Sequence, residues 1–251
     1  MEKVGLQLYT VRDEAEKDFL GTLEKVAGMG YKGVEFAGFF NTPARELKEV
    51  LEKLSLIPVA SHTPVELLKD DLDSVIEYNK EIGTRAIICP WTKIDSYEDV
   101  VEVAELMNTV APKIIKAGMK VGYHNHGDEF KIFNGEYGLD LLMNLTEKAG
   151  VFPEIDVFWV EYAGVDAINY ISKYKNRCEM VHLKDMKKRG ETETVEIGNG
   201  ILDIKGIIKK SLASGVKYIL VEQDNTDKPS LEAVKISIRN LKAIAAEMNI
   251  S

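Results

Sequence analysis

Short apolar runs alternate along this chain with longer segments whose apolar residues recur every three or four positions, at the spacing a strand-then-helix repeat needs. Val4–Leu8, Gly33–Phe36, Ile57–Ser61 and Arg85–Cys89 read as the first four strands. Lys120–Tyr123, Phe152–Asp156, Glu179–Leu183 and Lys217–Val221 read as the last four. Helices are predicted near Phe19–Ala27, from Pro43 to Leu54, from the Thr63-Pro64-Val65-Glu66 stretch to Glu81, and over Ser96–Lys116. Four more follow at Leu139–Lys148, Asp166–Tyr174, Asp203–Ala213 and Ser230–Met248.

The punctuation agrees with the periods. Gly28 and Gly30 stop the first helix, and Pro43 suits a first helical position, where its missing N–H does no harm. Thr63 and Glu66 have capping-box spacing, and Pro112 predicts a kink in a long helix. Leu231, Val234, Ile238, Leu241, Ala245 and Met248 form one apolar stripe on the last helix. Strict alternation favours a parallel sheet buried on both sides. Eight units without a linker predict closure as a single (β/α)8 TIM barrel over residues 1–251.

Composition narrows the partners. With 251 residues, 45% apolar and 29% charged, the chain can bury a sizeable core. The net charge of −9 and the lack of a basic cluster beyond Lys187-Lys188-Arg189 argue against nucleic acid. No apolar stretch approaches the ~20 residues of a membrane span. The start Met1-Glu-Lys-Val-Gly-Leu lacks signal-peptide anatomy. Cys89 and Cys178 sit beside apolar residues and read as reduced, buried thiols, which points to a cytoplasmic location.

Chemistry concentrates where strands end. Gly122-Tyr-His-Asn-His-Gly-Asp-Glu-Phe130 packs two of the four histidines and two carboxylates into one turn after strand five. A barrel gathers all strand C-termini on one rim. Read in turn, they present Gln7, Glu35, His62, Cys89, His124 with His126, Asp156, His182 with Asp185, and Glu222 with Asp224. Mixed carboxylate and imidazole donors suit Mn2+, Co2+ or Zn2+, and Mg2+ less well. Taken singly, each has a plain reading: a lone strand-end histidine is usually a satisfied core residue, and Asp156 resembles a cap. His182 and Glu222 follow long apolar runs, where an unpaired polar group is costly, so their placement calls for a purpose. Trp159 and Tyr162 either line a sugar face or simply pack.

The motifs in combination resemble the xylose isomerase-like TIM-barrel superfamily, and within it proteins called sugar phosphate isomerase/epimerase. The resemblance rests on Gly5-Leu-Gln-Leu-Tyr-Thr-Val-Arg-Asp13, Tyr123-His-Asn-His with Glu129-Phe130, Asp156-Val-Phe-Trp159, His182-Leu-Lys-Asp185, Gly198-Asn-Gly200 with Asp203, and Val221-Glu-Gln-Asp224. It implies metal ligands at Asp156, His182 and Glu222. Where the family carries a glutamate after strand five, this chain has His124, with Glu129 five residues on; both stand as candidates for the fourth ligand.

The expected activity is metal-dependent isomerisation or epimerisation of a keto-sugar, phosphorylated or not, through an enediolate. Glu222 or Glu129 would take the proton on carbon, with His126 or His62 as the second acid or base. Gln7, Glu35, Trp159, Lys184, Asp185 and Asp224 are the expected substrate contacts. Loss of a β-oxygen from the same enediolate would instead make a lyase or dehydratase acting on a keto-inositol or 3-keto-glycoside. A sugar-binding barrel without catalysis is a third reading. A DNA-repair endonuclease of this superfamily needs a three-zinc cluster that four histidines supply poorly. The partner is thus a small sugar, and the sequence leaves room for a homo-oligomer.

Overall fold

In the computed structural model, which describes residues 3–249, eight parallel strands close into a barrel. They are β1 (Val4–Gln7), β2 (Gly33–Phe36), β3 (Ile57–His62), β4 (Ala86–Cys89), β5 (Lys120–His124), β6 (Phe152–Asp156), β7 (Met180–Leu183) and β8 (Tyr218–Val221). Each pairs with its neighbours in sequence order, and β1 closes the ring on β8. The expected barrel is therefore the observed one. Residues 1–2 and 250–251 lie outside the described part, and no described helix is long and apolar enough to cross a membrane.

Two layers of core hold the barrel. The larger joins helix faces to the outside of the sheet, and the last helix, Ser230–Glu247, buries Val234, Ile238 and Leu241 in it. The smaller, made only of strand residues such as Ile88, Phe152, Met180 and Leu220, fills the interior. Gly122 on β5 makes this possible. A Cβ there would lie 2.8 Å from Ile88 Cδ1 and 2.9 Å from Phe152 Cζ.

Local chemistry departs from expectation at several helix starts. Thr63 forms no capping box, because its N–H still donates to the Ile88 carbonyl at 2.8 Å and Pro64 takes the cap position. Pro43 likewise precedes its helix, Ala44–Leu54, rather than opening it. The helix expected to run unbroken to Glu81 splits at Asp71 into Val65–Asp70 and Leu72–Ile82. The reciprocal box forms instead at Ser96 and Asp99, ahead of Tyr97–Lys116. After β7, the loop expected to be merely polar contains a small hairpin of Asp185–Met186 with Thr194–Val195.

Candidate metal centre

Alternation along the strands selects which side chains enter the barrel. Phe152, Glu154 and Asp156 share the interior face of β6, as Met180 and His182 do on β7. Parallel pairing then sets their heights: His124 stands opposite Glu154, Asp156 opposite His182, and Gln7 opposite Glu35. A polar layer thus lies directly above the apolar one.

This layer contains two quartets with ligand atoms mutually within 4.8 Å. The upper one, nearer the strand C-termini, joins His124, Asp156, His182 and Glu222; the lower joins His62, His124, Glu154 and His182. His124 and His182 belong to both. His182 Nδ1 lies 2.6 Å from Glu222 Oε2, while its Nε2 lies 2.6 Å from Glu35 Oε2 and 3.2 Å from Glu154 Oε2. His124 sets Nε2 3.6 Å from Asp156 Oδ2 and Nδ1 3.2 Å from Glu154 Oε2. A neutral imidazole has one lone pair, so an ion in the upper quartet would leave the lower nitrogens protonated, facing Glu154 and Glu35.

The donor set fits a cation. Asp156 Oδ1 accepts the N–H groups of Phe158 and Trp159 at 2.9 and 3.4 Å, capping the helix Val157–Tyr162. Its Oδ2 is buried and has no hydrogen-bond partner, although the Lys184 ammonium stands 2.9 Å away. Burial raises the Asp156 carboxyl to about 6. Burial and the nearby His182 hold the His124 ring well below the usual histidine range, neutral as a ligand requires. Glu222 goes the other way: the charges of Lys184 and His182 outweigh burial and keep it ionised.

The lower carboxylates are balanced separately. Burial and the charge of Glu154 push Glu35 up to about 7. Burial opposes charge on His62, yet Glu35 and Glu154, at 3.3 and 2.8 Å, outweigh it and raise its pKa. His182 is likewise raised, by Glu154, Glu35 and Glu222 against burial. Lys184 is fully buried among Asp156, Glu222 and Asp224, which hold its proton against burial.

Not every expected residue reaches the centre. Glu129 lies outside both quartets: it accepts the Tyr123 hydroxyl at 2.7 Å and the His126 N–H at 2.8 Å, pinning the turn after β5. Of the two candidates for the fourth ligand, the geometry brings His124 to the group. Gln7 donates to Glu35 at 2.8 Å, and both sit beneath His182 rather than on the cavity wall. Asp185 turns away as well and accepts the backbone N–H groups of Gly198, Gly200 and Leu202. Substrate contact by these three therefore has no support in their positions. His62, His124, His126, Trp159, Glu222 and Asp224 do border an open cavity of about 820 Å3. Burial and the Lys184 charge lower His126 to about 4.

Glu154 escaped the sequence reading. A signal was present, since the period-two series Phe152, Glu154, Asp156 puts it on the ligand face of a buried strand. An ionised group there is costly unless paired.

Comparison with known proteins bears on the fold and the family. An inosose dehydratase of Clostridium perfringens is 29% identical over 166 residues, 59% of this chain and 54% of that protein. The chain thus spans about half the length of that relative. A crystal structure of a sugar phosphate isomerase/epimerase from Parabacteroides distasonis superposes with a TM-score of 0.79 at 26% identity, covering 97% of this chain and 94% of that one. The IOLI protein, solved with a zinc atom, has a TM-score of 0.74 at 13% identity over 98% of both chains, a likeness of fold alone. The family model described as xylose isomerase-like TIM barrel matches residues 23–244, and the chain belongs to that family.

Proposed function

We propose that this barrel is a divalent-metal-dependent enzyme that removes a proton next to the carbonyl of a keto-sugar and returns it elsewhere, as an isomerase or epimerase. The observation that carries this reading is the convergence of His124, Asp156, His182 and Glu222 into one group of ligand atoms, two of whose members, His124 and Glu222, border the cavity. Two imidazoles and two carboxylates suit Mn2+, Co2+ or Zn2+. When bound, such an ion supplies a Lewis acid that polarises the carbonyl and offsets the charge of an enediolate.

The chain's own residues divide the remaining work. Glu222, ionised and bordering the cavity, takes the proton from carbon. His126, neutral at physiological pH, stands on the same wall to relay a proton between oxygens. Trp159 offers an aromatic wall to the sugar's C–H face. Glu35 holds the far nitrogen of His182 at 2.6 Å and Glu154 stands 3.2 Å from that of His124, an arrangement that would leave the near nitrogens free for an ion. Elimination is the second reading, favoured by relatives named inosose dehydratase. In that case the Lys184–Asp224 pair, joined through both carboxylate oxygens at 2.9 and 3.0 Å, would pass a proton to the leaving oxygen.

The test is deuterium uptake from D2O by a panel of ketoses, keto-inositols and 3-keto-glycosides, with the Mn2+-loaded protein and with Glu222→Gln. Uptake that depends on both metal and Glu222 is expected, and the product separates isomerisation from elimination. No uptake by any member of the panel, or full uptake by Glu222→Gln, rejects the assignment.

A further inference from the structure

The cavity above the upper quartet extends well past what a lone sugar occupies. Its volume of about 820 Å3 lies high in the ~300–1,000 Å3 range of pockets for drug-sized ligands. His124, His126 and Glu222 line one part, while Phe39, Leu67, Val75, Tyr78 and Trp91, from the segments following β2, β3 and β4, give the lining its main apolar side chains. Trp91 is 55% exposed and Leu67 45%, a marked display of apolar surface beside a polar centre. The Phe39 and Tyr78 rings stand 4.2 Å apart, tilted by 31°. In the loop carrying Phe39, Phe40 and Asn41 hold φ of 50° and 57°, the left-handed region, which is uncommon for a residue as bulky as Phe40. Phe40 is kept there by contact with Phe19, ring centroids 5.0 Å apart.

The charges oppose a phosphate. The lining contains Asp71, Glu222 and Asp224 but no lysine or arginine. Barrels commonly seat phosphate on the loops after strands seven and eight. Here the glycine-bearing loop after β7 is filled from within: the Asp185 carboxylate takes the N–H groups of Gly198, Gly200 and Leu202 at 2.8, 3.0 and 3.2 Å. An incoming phosphate would meet a carboxylate where it needs donors.

We propose that the substrate is an unphosphorylated keto-sugar bearing a flat apolar substituent, an aryl keto-glycoside, with the ring of that substituent lodged against the aromatic lining that Phe39, Tyr78 and Trp91 supply. This rests on the keto-sugar reading above and adds the substituent and the missing phosphate.

Calorimetry on the Mn2+-loaded full chain would compare methyl 3-keto-glucoside, phenyl 3-keto-glucoside and 3-keto-glucose 6-phosphate, with deuterium uptake followed in parallel. The phenyl compound is expected to bind at least about tenfold tighter than the methyl one, the gain from burying one ring, and the phosphate ester weakest. Trp91→Ala, at an exposed position, should cut the phenyl-to-methyl ratio about threefold or more. A ratio near one in the wild type, or tightest binding of the phosphate ester, overturns the inference while deuterium uptake still supports the reaction. Absent uptake with the ratio intact removes the reaction and leaves the substrate class standing. Failure of every probe to bind removes both.

Discussion

Replacing Lys184 by Met tests the electrostatics of the centre without touching a ligand. The ammonium is 1% exposed and lies 2.9, 3.0 and 2.9 Å from Asp156, Glu222 and Asp224. At an effective dielectric of ~20, each pair attracts by about 6 kcal/mol gross, most of it offset by desolvation. Removing one partner of such a group costs about 3–5 kcal/mol, because the carboxylates remain buried and unpaired. For a chain of this size that lowers the melting midpoint by roughly 6–20 °C. A divalent ion on Asp156 and Glu222 would restore the balance; at a thousandfold excess over its Kd, mass action adds about 4 kcal/mol. In the wild type the ion competes with the ammonium for the same two oxygens. The metal-induced rise in midpoint should therefore be larger in Lys184→Met. Denaturation followed by near-UV circular dichroism, with chelator and with saturating Mn2+, measures both quantities. Wild-type stability in chelator, or an equal rise in the two proteins, would refute the reasoning.

Three further outcomes are expected. His124→Ala should reduce Mn2+ affinity at least about 100-fold in chelator competition, while Glu129→Ala should leave it within a few-fold; the reverse pattern would make Glu129 the ligand. Glu35→Gln should weaken affinity about 10–100-fold by releasing the His182 ring, as second-layer changes do, and unchanged affinity would show that Glu35 does not orient it. Burial raises Glu129 from 4.5 to about 7, so the folded state keeps a proton that the unfolded chain has lost between those values. Stability should accordingly fall by about 3 kcal/mol as pH rises through that window. Glu129→Gln should flatten this slope in urea titrations at pH 5 and 7.5, and a slope equal to the wild type's would assign the loss to other groups.

Much of the fold was legible because its cause is local. The eight strands sit within a residue or two of their expected limits, since short apolar runs bounded by caps and glycines leave few other conformations. Failures occurred where a distant partner decided a local question. Thr63 could not complete a capping box because β4 had claimed the N–H that Glu66 would have accepted, and Asp71 broke a helix that its periodicity would have continued. At the site, His182 and Glu222 were legible as polar groups following apolar runs, and Asp156 only as a strand end that the resemblance marked. Glu154 was hidden inside such a run, and Glu129 looked equivalent to His124.

The order of polar and apolar residues alone determined a (β/α)8 barrel and the rim where its chemistry gathers, because alternation and repeat length are properties of the chain. Tertiary structure alone decided which nitrogen of each histidine faces which carboxylate, that His124 joins the quartet while Glu129 pins a turn, and that Asp185 fills the glycine loop. Those choices depend on ångström-scale heights between paired strands. Registry fixes such heights only when the barrel closes.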